Sequence, residues 1–392
     1  MPEQIPYYKS RTSIRMALFY AAIFAMIGIH LPFWPVWLVA KGLSPTEIGG
    51  VFAASVGIKI ISNPLIAHFA DRQGKRRPIM IVLATLAFLT FYLFGHTNGF
   101  WQIFSVSILF FAVWSPLMPL GESLAMLGSK SIDENNLGKE IDYGRVRLWG
   151  SLTFIITAIG TGYILTGESI DIIYQILLGS LAFVVVVTLF LPRIRLPATA
   201  NARFAPITVL QDRRFILFIV ASALIQASHS VYYGFGTLNW KAQGYSEIVI
   251  GWLWAEGVIA EIILFIFGSW LVARLGPSRL IILGGLAGTI RWLMAGDAYG
   301  LTLLVILQAL HAFTFGATHL GAIYFIYRHF PKNLSASAQA VYSAIVMGLA
   351  LGLTMFASGK LYSFFGPNAY YAMALMAAGG TLLAFFLTTN RR

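Results

Sequence analysis

The hairpin between Lys41 and Arg77 occurs twice in this chain, and no other feature limits the possible folds so tightly. Gly42, Ser44 and Gly49 return as Gly244, Ser246 and Gly251, and Arg72 and Gly74 return as Arg274 and Gly276, each pair 202 residues apart. The second copy is degraded where Asp71-Arg72-Gln73-Gly74 becomes Ala273-Arg274-Leu275-Gly276. A gapless internal repeat in an apolar chain points to a transporter of two homologous halves. Lys59 in the first copy falls opposite Glu261 in the second, so ionisable residues of opposite sign hold matching places inside apolar segments.

The solvent of most of the chain is lipid. Hydrophobic residues make up 58% and charged residues 11%, against about 25% charged in soluble domains. At about 20 residues per crossing, twelve apolar segments are expected: 14–40, 46–68, 78–96, 100–128, 143–165, 172–191, 214–240, 247–272, 279–296, 301–327, 336–359 and 368–388. Their length makes them helices, because a barrel strand is about ten residues of alternating polarity. Met1–Ser13 is polar and the first apolar segment runs at full membrane length, so no cleavable signal peptide is expected. The segments divide into halves at 1–191 and 214–392, joined by a linker at 192–213 rich in proline and arginine.

A net charge of +12 invites a nucleic-acid reading, but its distribution argues for membrane topology. Of the Lys and Arg residues outside or at the ends of the segments, twenty-two fall on one face of the membrane and three, Lys41, Lys241 and Lys360, on the other. That bias places both termini in the cytoplasm. Cysteine is absent, which excludes disulfides and thiolate metal sites. No Walker A motif, catalytic triad or zinc-binding helix is present, so neither an enzyme nor an ATP-driven pump is expected, and no cofactor or metal is called for.

The candidate functional residues are polar groups inside the apolar segments. Lys59 and Asn63 lie four apart on segment 2 and share a face. A charge at the bilayer centre costs at least about 2.5–3.5 kcal/mol, so Lys59 and Glu261 are expected to face the bundle interior. Lys59 either holds a substrate carboxylate or pairs within the protein. Glu261 leads as a proton carrier, because a desolvated carboxylate can hold a proton at neutral pH. Glu122 on segment 4 is second and is equally suited to a salt bridge with the arginines opening segment 5. Segments 7 and 10 carry polar stripes at helical spacing: Ser222, Gln226, His229, Ser230 and Tyr233 on one, Gln308, His311, Phe315, Thr318 and His319 on the other. Such stripes must face protein or water, which nominates Gln226, His229, Tyr233, Gln308, His311 and His319 for ligand or proton contact, although membrane histidines often serve packing alone. Arg291, a turn from the end of segment 9, reads as a snorkelling side chain.

The loop Asp71-Arg72-Gln73-Gly74-Lys75-Arg76-Arg77 resembles the signature G-x-x-x-D-R-x-G-R-[RK] of the major facilitator superfamily, with Ala67 at its first glycine and Lys75 at its first basic position. Asp71, Arg72 and Gly74 are thereby candidates for a gating loop. Asp142–Ser151, Tyr232-Tyr233-Gly234-Phe235, Leu310-His311 with Thr314, Phe315 and His319, and Gln339–Ser343 resemble the bacterial phenylpropionate permease family over the whole chain. That likeness implies an inner-membrane proton symporter of 3-phenylpropionate and includes a basic residue at Lys59 and Glu at Glu261. A more distant likeness to lactose-permease-type oligosaccharide symporters matches Glu122, Arg147, Arg291 and His311 to that family's site. Gln308 and Thr314 stand where those symporters carry lysine and their proton-carrying glutamate, so that relay is not copied here.

The expectation is an all-α integral membrane protein of twelve transmembrane helices, in the major facilitator fold of two pseudo-symmetric six-helix halves. It acts as a monomer on protons and a small molecule, with the bilayer as its other partner and no nucleic acid. The first substrate class is a small aromatic carboxylate met by Lys59 or Arg147. A neutral sugar or nucleoside is the alternative, and a non-transporting sensor or scaffold the reading from another class.

Overall fold

The computed structural model describes residues 11–133, 143–193, 206–298 and 300–389. Most of the 129–142 loop and of the 192–213 linker, and the Asp71 side chain, lie outside the described residues. The apolar helices are α1 Thr12–Ala40, α2 Pro45–Ala70, α3 Arg76–His96, α4 Phe100–Ala125, α5 Arg145–Leu165, α6 Ile172–Thr188, α7 Arg213–Ala242, α8 Glu247–Ile266, α9 Pro277–Ala295 and α10 Leu301–His329. The last apolar stretch divides at the 3-10 turn Gly366–Asn368 into α11, residues 337–365, and α12, Ala369–Thr389. These match the twelve expected segments, and large apolar side chains such as Trp101, Phe364 and Leu375 lie exposed, as lipid-facing groups must.

The repeat is visible in backbone chemistry. Gly42 and Gly244 have φ of 83° and 85°, and Gly74 and Gly276 have φ of 61° and 76°, a left-handed region that only glycine enters at little cost. Each copy then opens its helix with a serine cap. Ser44 Oγ donates to Glu47 at 2.7 Å while the Ser44 N–H reaches the same carboxylate at 2.8 Å. Ser246 accepts from the Val249 N–H at 3.4 Å. The helix of α2 runs on to Gln73, and in the second copy the short helix Gly268–Leu275 closes at the matching position.

Helix irregularities concentrate where polar residues meet. α4 breaks at Ser115-Pro116 and α7 at Ser228-His229, and α10 passes through a π-helical turn at Ala312–Ala317. Such breaks free backbone groups and are tolerated in a membrane only where protein surrounds them. π turns are also frequent at functional sites.

The described residues form two compact units, those within 1–41 and 58–202, and those within 42–57 and 203–392. In the first, α1 lies tightly on α5, since a Cβ at Gly28 would stand 2.4 Å from Thr157 Oγ1. Small residues permit this approach in lipid, where packing rather than hydrophobicity joins helices. Its aromatic core includes Trp34 stacked on Trp37 at 4.4 Å and Phe94 edge-on at 5.0 Å. In the second, Phe218 stacks on Phe325 at 4.4 Å. There a Cβ at Gly284 would meet Thr318 Oγ1 at 2.0 Å, and one at Gly49 would meet Gly359 Cα at 2.7 Å.

Candidate functional site

Among the described residues, each unit holds a cluster of polar groups between apolar helices. In the first unit, helical spacing puts Lys59 and Asn63 on one face of α2, and the α4 break presents Ser115 to them. Ser115 Oγ donates to Asn63 Oδ1 at 2.7 Å and lies 3.3 Å from Ser62 Oγ. Lys59, Asn63 and Ser115 share the lining of a cavity of about 230 Å³ with Ile23, Trp114 and Met118. The Lys59 ammonium stands 5.2 Å from the centre of the Phe111 ring, within cation–π range. Among the described residues no carboxylate lies within ion-pair distance of it.

The second cluster surrounds Arg291. Contrary to the snorkelling expectation, this side chain is 1% exposed. Its guanidinium donates to Gln308 Oε1 at 2.6 Å, His311 Nδ1 at 3.0 Å and Thr314 Oγ1 at 3.1 Å, and lies 4.7 and 4.6 Å from the Tyr232 and Trp292 rings. Because a guanidinium only donates, His311 Nδ1 is an acceptor and its ring is neutral in this arrangement. His229 is held the other way round. Its Nδ1 faces the Gln226 carbonyl at 3.0 Å and must donate, leaving Nε2 to accept from Thr314 at 3.0 Å. The Gln308 amide nitrogen donates to the Tyr232 hydroxyl and to the Leu253 carbonyl, both at 3.1 Å. Arg291→Ala orphans Gln308 Oε1 and His311 Nδ1, at about 1–3 kcal/mol per buried group. A melting point in detergent lowered by several degrees is expected. An unchanged or raised one would mean that the cost of burying the guanidinium exceeds what the network returns.

The structure thus draws together His229, Gln308 and His311 around Arg291, with Tyr233 stacked on the His229 ring at 5.5 Å and Gln226 joined through its backbone carbonyl alone. His319 is half-buried, its ring parallel to Phe315 at 5.7 Å, a turn beyond the network. Glu261 is half-buried on the α8 face turned to α10: a Cβ at Gly257 would touch His311 at 3.5 Å, and one at Gly316 would lie 3.4 Å from Glu261 Cγ. Glu122 is half-buried on α4. Arg147 packs its guanidinium over Phe24 at 4.0 Å and Tyr20 at 5.7 Å. At the end of α2 Arg72 is exposed, Gly74 makes the turn, and Arg77 at the start of α3 donates to the Leu189 carbonyl. Thr314 and Tyr232 join the network without having been singled out for it. Both lie at irregular helical geometry or beside an aromatic pair, which hydropathy does not register. Among the described residues no group of three His, Asp or Glu side chains could hold a metal ion.

Twelve apolar helices, a repeated hairpin and charged groups buried within the spans define a membrane transporter, and the comparisons name its family. The chain belongs to the MFS_1-like family, whose profile matches residues 13–373. It is 32% identical over 368 residues to the probable 3-phenylpropionic acid transporter of Escherichia coli K12, covering 92% of this chain and 94% of that one. It is 27% identical over 387 residues to the maltose permease of Geobacillus stearothermophilus, covering 96% and 94%. Among solved structures, the nucleoside transporter NupG shares the fold with a TM-score of 0.81 at 16% identity, over 96% of this chain and 98% of that one. The chain is therefore a multi-pass secondary transporter of the major facilitator superfamily, acting on a small molecule and not an enzyme.

Proposed function

We propose that the chain takes up a small aromatic carboxylate such as 3-phenylpropionate together with protons. Residues 1–191 and 214–392 act as the two rocking halves of a monomer in the inner membrane, with both termini cytoplasmic as the twenty-two to three distribution of basic residues argues. The observation that carries the substrate class is the Lys59 ammonium, with no carboxylate at ion-pair distance among the described residues, in a cavity walled by Ile23, Trp114 and Met118. A carboxylate supplies the missing counter-charge and an aromatic ring suits the apolar wall. At about 230 Å³ the cavity falls below the roughly 300–1,000 Å³ of pockets for drug-sized ligands, a size for one ring rather than a disaccharide. The probable 3-phenylpropionic acid transporter among the relatives supports the same reading.

A neutral sugar or nucleoside remains the second reading, because relatives include a maltose permease and the fold is shared with a nucleoside transporter. It needs many free hydrogen-bonding groups, yet Gln308, His311 and Thr314 are engaged with Arg291. Right-side-out vesicles decide between them. Labelled 3-phenylpropionate is expected to accumulate when the outside is acidic, and a protonophore is expected to abolish the accumulation. Accumulation of a labelled disaccharide or nucleoside instead would establish the second reading. Movement of none of them would favour a sensor or scaffold.

A further inference from the structure

The second copy of the repeated loop has lost its acid. Where the first carries Asp71 among Arg72, Lys75, Arg76 and Arg77, the second reads Ala273-Arg274-Leu275-Gly276-Pro277-Ser278-Arg279. Its arginines face a cleft of about 650 Å³ within the second unit, which Arg214, Arg328 and His329 also line, and no lining residue is acidic. Asp212 caps α7 through the Phe215 N–H at 2.8 Å and holds His329 Nε2 at 2.8 Å. Arg214 donates to the Leu387 carbonyl at 3.0 Å, while its Nε, shielded from solvent, has no hydrogen-bond partner. The floor of the cleft is apolar, formed by Val272, Leu275, Phe325 and Leu387.

We propose that this cleft binds a phosphate group, and that the phosphodiester headgroup of an anionic membrane lipid is its source. Four arginines without an acid among the lining residues call for an anion, and guanidinium groups match phosphate oxygens in pairs. Ser278 adds a hydroxyl to the lining, whereas the Thr388 hydroxyl donates to the Phe385 carbonyl at 2.7 Å. A free phosphate satisfies the arginines alone. A lipid also covers the apolar floor, and its chains continue onto the exposed side chains of Ile266, Phe267 and Trp270 at and just past the end of α8. Basic pockets between helix ends are the expected form of such recognition. The site is separate from the Lys59 and Arg291 clusters and does not depend on which substrate is carried.

The test uses the purified full chain in a neutral detergent, with its melting point read after adding short-chain phosphatidylglycerol, short-chain phosphatidylcholine or inorganic phosphate. Phosphatidylglycerol is expected to raise the midpoint by about 2 °C, the shift that a ligand held at about ten times its Kd produces in a chain of this length, and phosphatidylcholine is not. The triple variant Arg274→Gln, Arg279→Gln, Arg328→Gln is expected to lose this rise, while Lys360→Gln, far along the chain on α11, keeps it. An equal rise with inorganic phosphate would uphold the phosphate site and assign it to a soluble anion. An equal rise with phosphatidylcholine, or a triple variant that still responds fully, overturns the proposal. If the triple variant does not fold, Arg274→Gln and Arg328→Gln, both at exposed positions, are read singly. Native mass spectrometry of the unmodified chain then counts phosphatidylglycerol retained over phosphatidylcholine, and no preference overturns the proposal equally.

Discussion

Lys59→Met is expected to abolish binding and uptake of the aromatic acid while leaving the protein as stable as before, or more so. Methionine keeps the length and the apolar stem but removes the ammonium. Truncating one partner of a buried charge pair costs about 2–5 kcal/mol of binding, so the substrate's Kd should rise roughly 30-fold to several thousand-fold. Stability moves the other way, because the ammonium has the Phe111 ring beside it but no carboxylate of the described protein. Relieving a central charge returns up to about 2.5–3.5 kcal/mol. The two readouts together separate a ligand role from a structural one. A Lys59 that paired with another helix would, when replaced, lower the melting point and weaken binding in parallel. That parallel loss, measured by thermal melting and by labelled-substrate binding, would sink the assignment.

Much of the fold was legible because each rule it follows is one-dimensional. A membrane span is a matter of length and hydropathy, so the twelve segments could be counted directly. The repeat was legible because Gly42 and Gly244, and Gly74 and Gly276, are needed for the same backbone reason and therefore persist at a fixed offset. The site is different. Arg291 sits four residues before the end of α9, where chain position alone predicts a side chain reaching for the interface. What holds it inside is the coincidence of Tyr232 and Trp292 as ring walls with Gln308, His311 and Thr314 as acceptors, drawn from three helices. No spacing rule contains that coincidence. The polar stripes on α7 and α10 were likewise visible as stripes, but not which of their groups bond to one another and which stay available to a ligand. The Lys59 cavity needed the break at Ser115, and Pro116 marks that break without revealing what the freed hydroxyl meets.

Glu261→Gln is expected to remove proton-driven accumulation and to leave substrate exchange intact. Thr314 occupies the α10 position at which the distant oligosaccharide symporters carry their proton-binding glutamate, and it is occupied with Arg291 and His229. A carboxylate can nonetheless reach this part of α10 from the neighbouring helix. Gly257 and Glu261 are one turn apart on the α8 face that meets α10 at His311 and Gly316, and Glu261 lies against Gly316, two residues beyond Thr314. On the proposed coupling role, the acid comes from α8 yet stands beside the same turn of α10, which is the π-helical one. Glutamine keeps the shape and hydrogen-bonding size of the protonated acid and cannot titrate. The variant should then behave as a permanently protonated carrier. Counterflow of labelled against unlabelled 3-phenylpropionate should proceed near the unmodified rate, while uphill uptake under an acid-outside gradient should fall to the level set by substrate concentration alone. If Glu261→Gln still concentrates substrate, the proton travels on another group and Glu122 is the next to replace. If counterflow disappears as well, Glu261 holds α8 against α10, and the loss of a structural contact rather than of a proton site explains both defects.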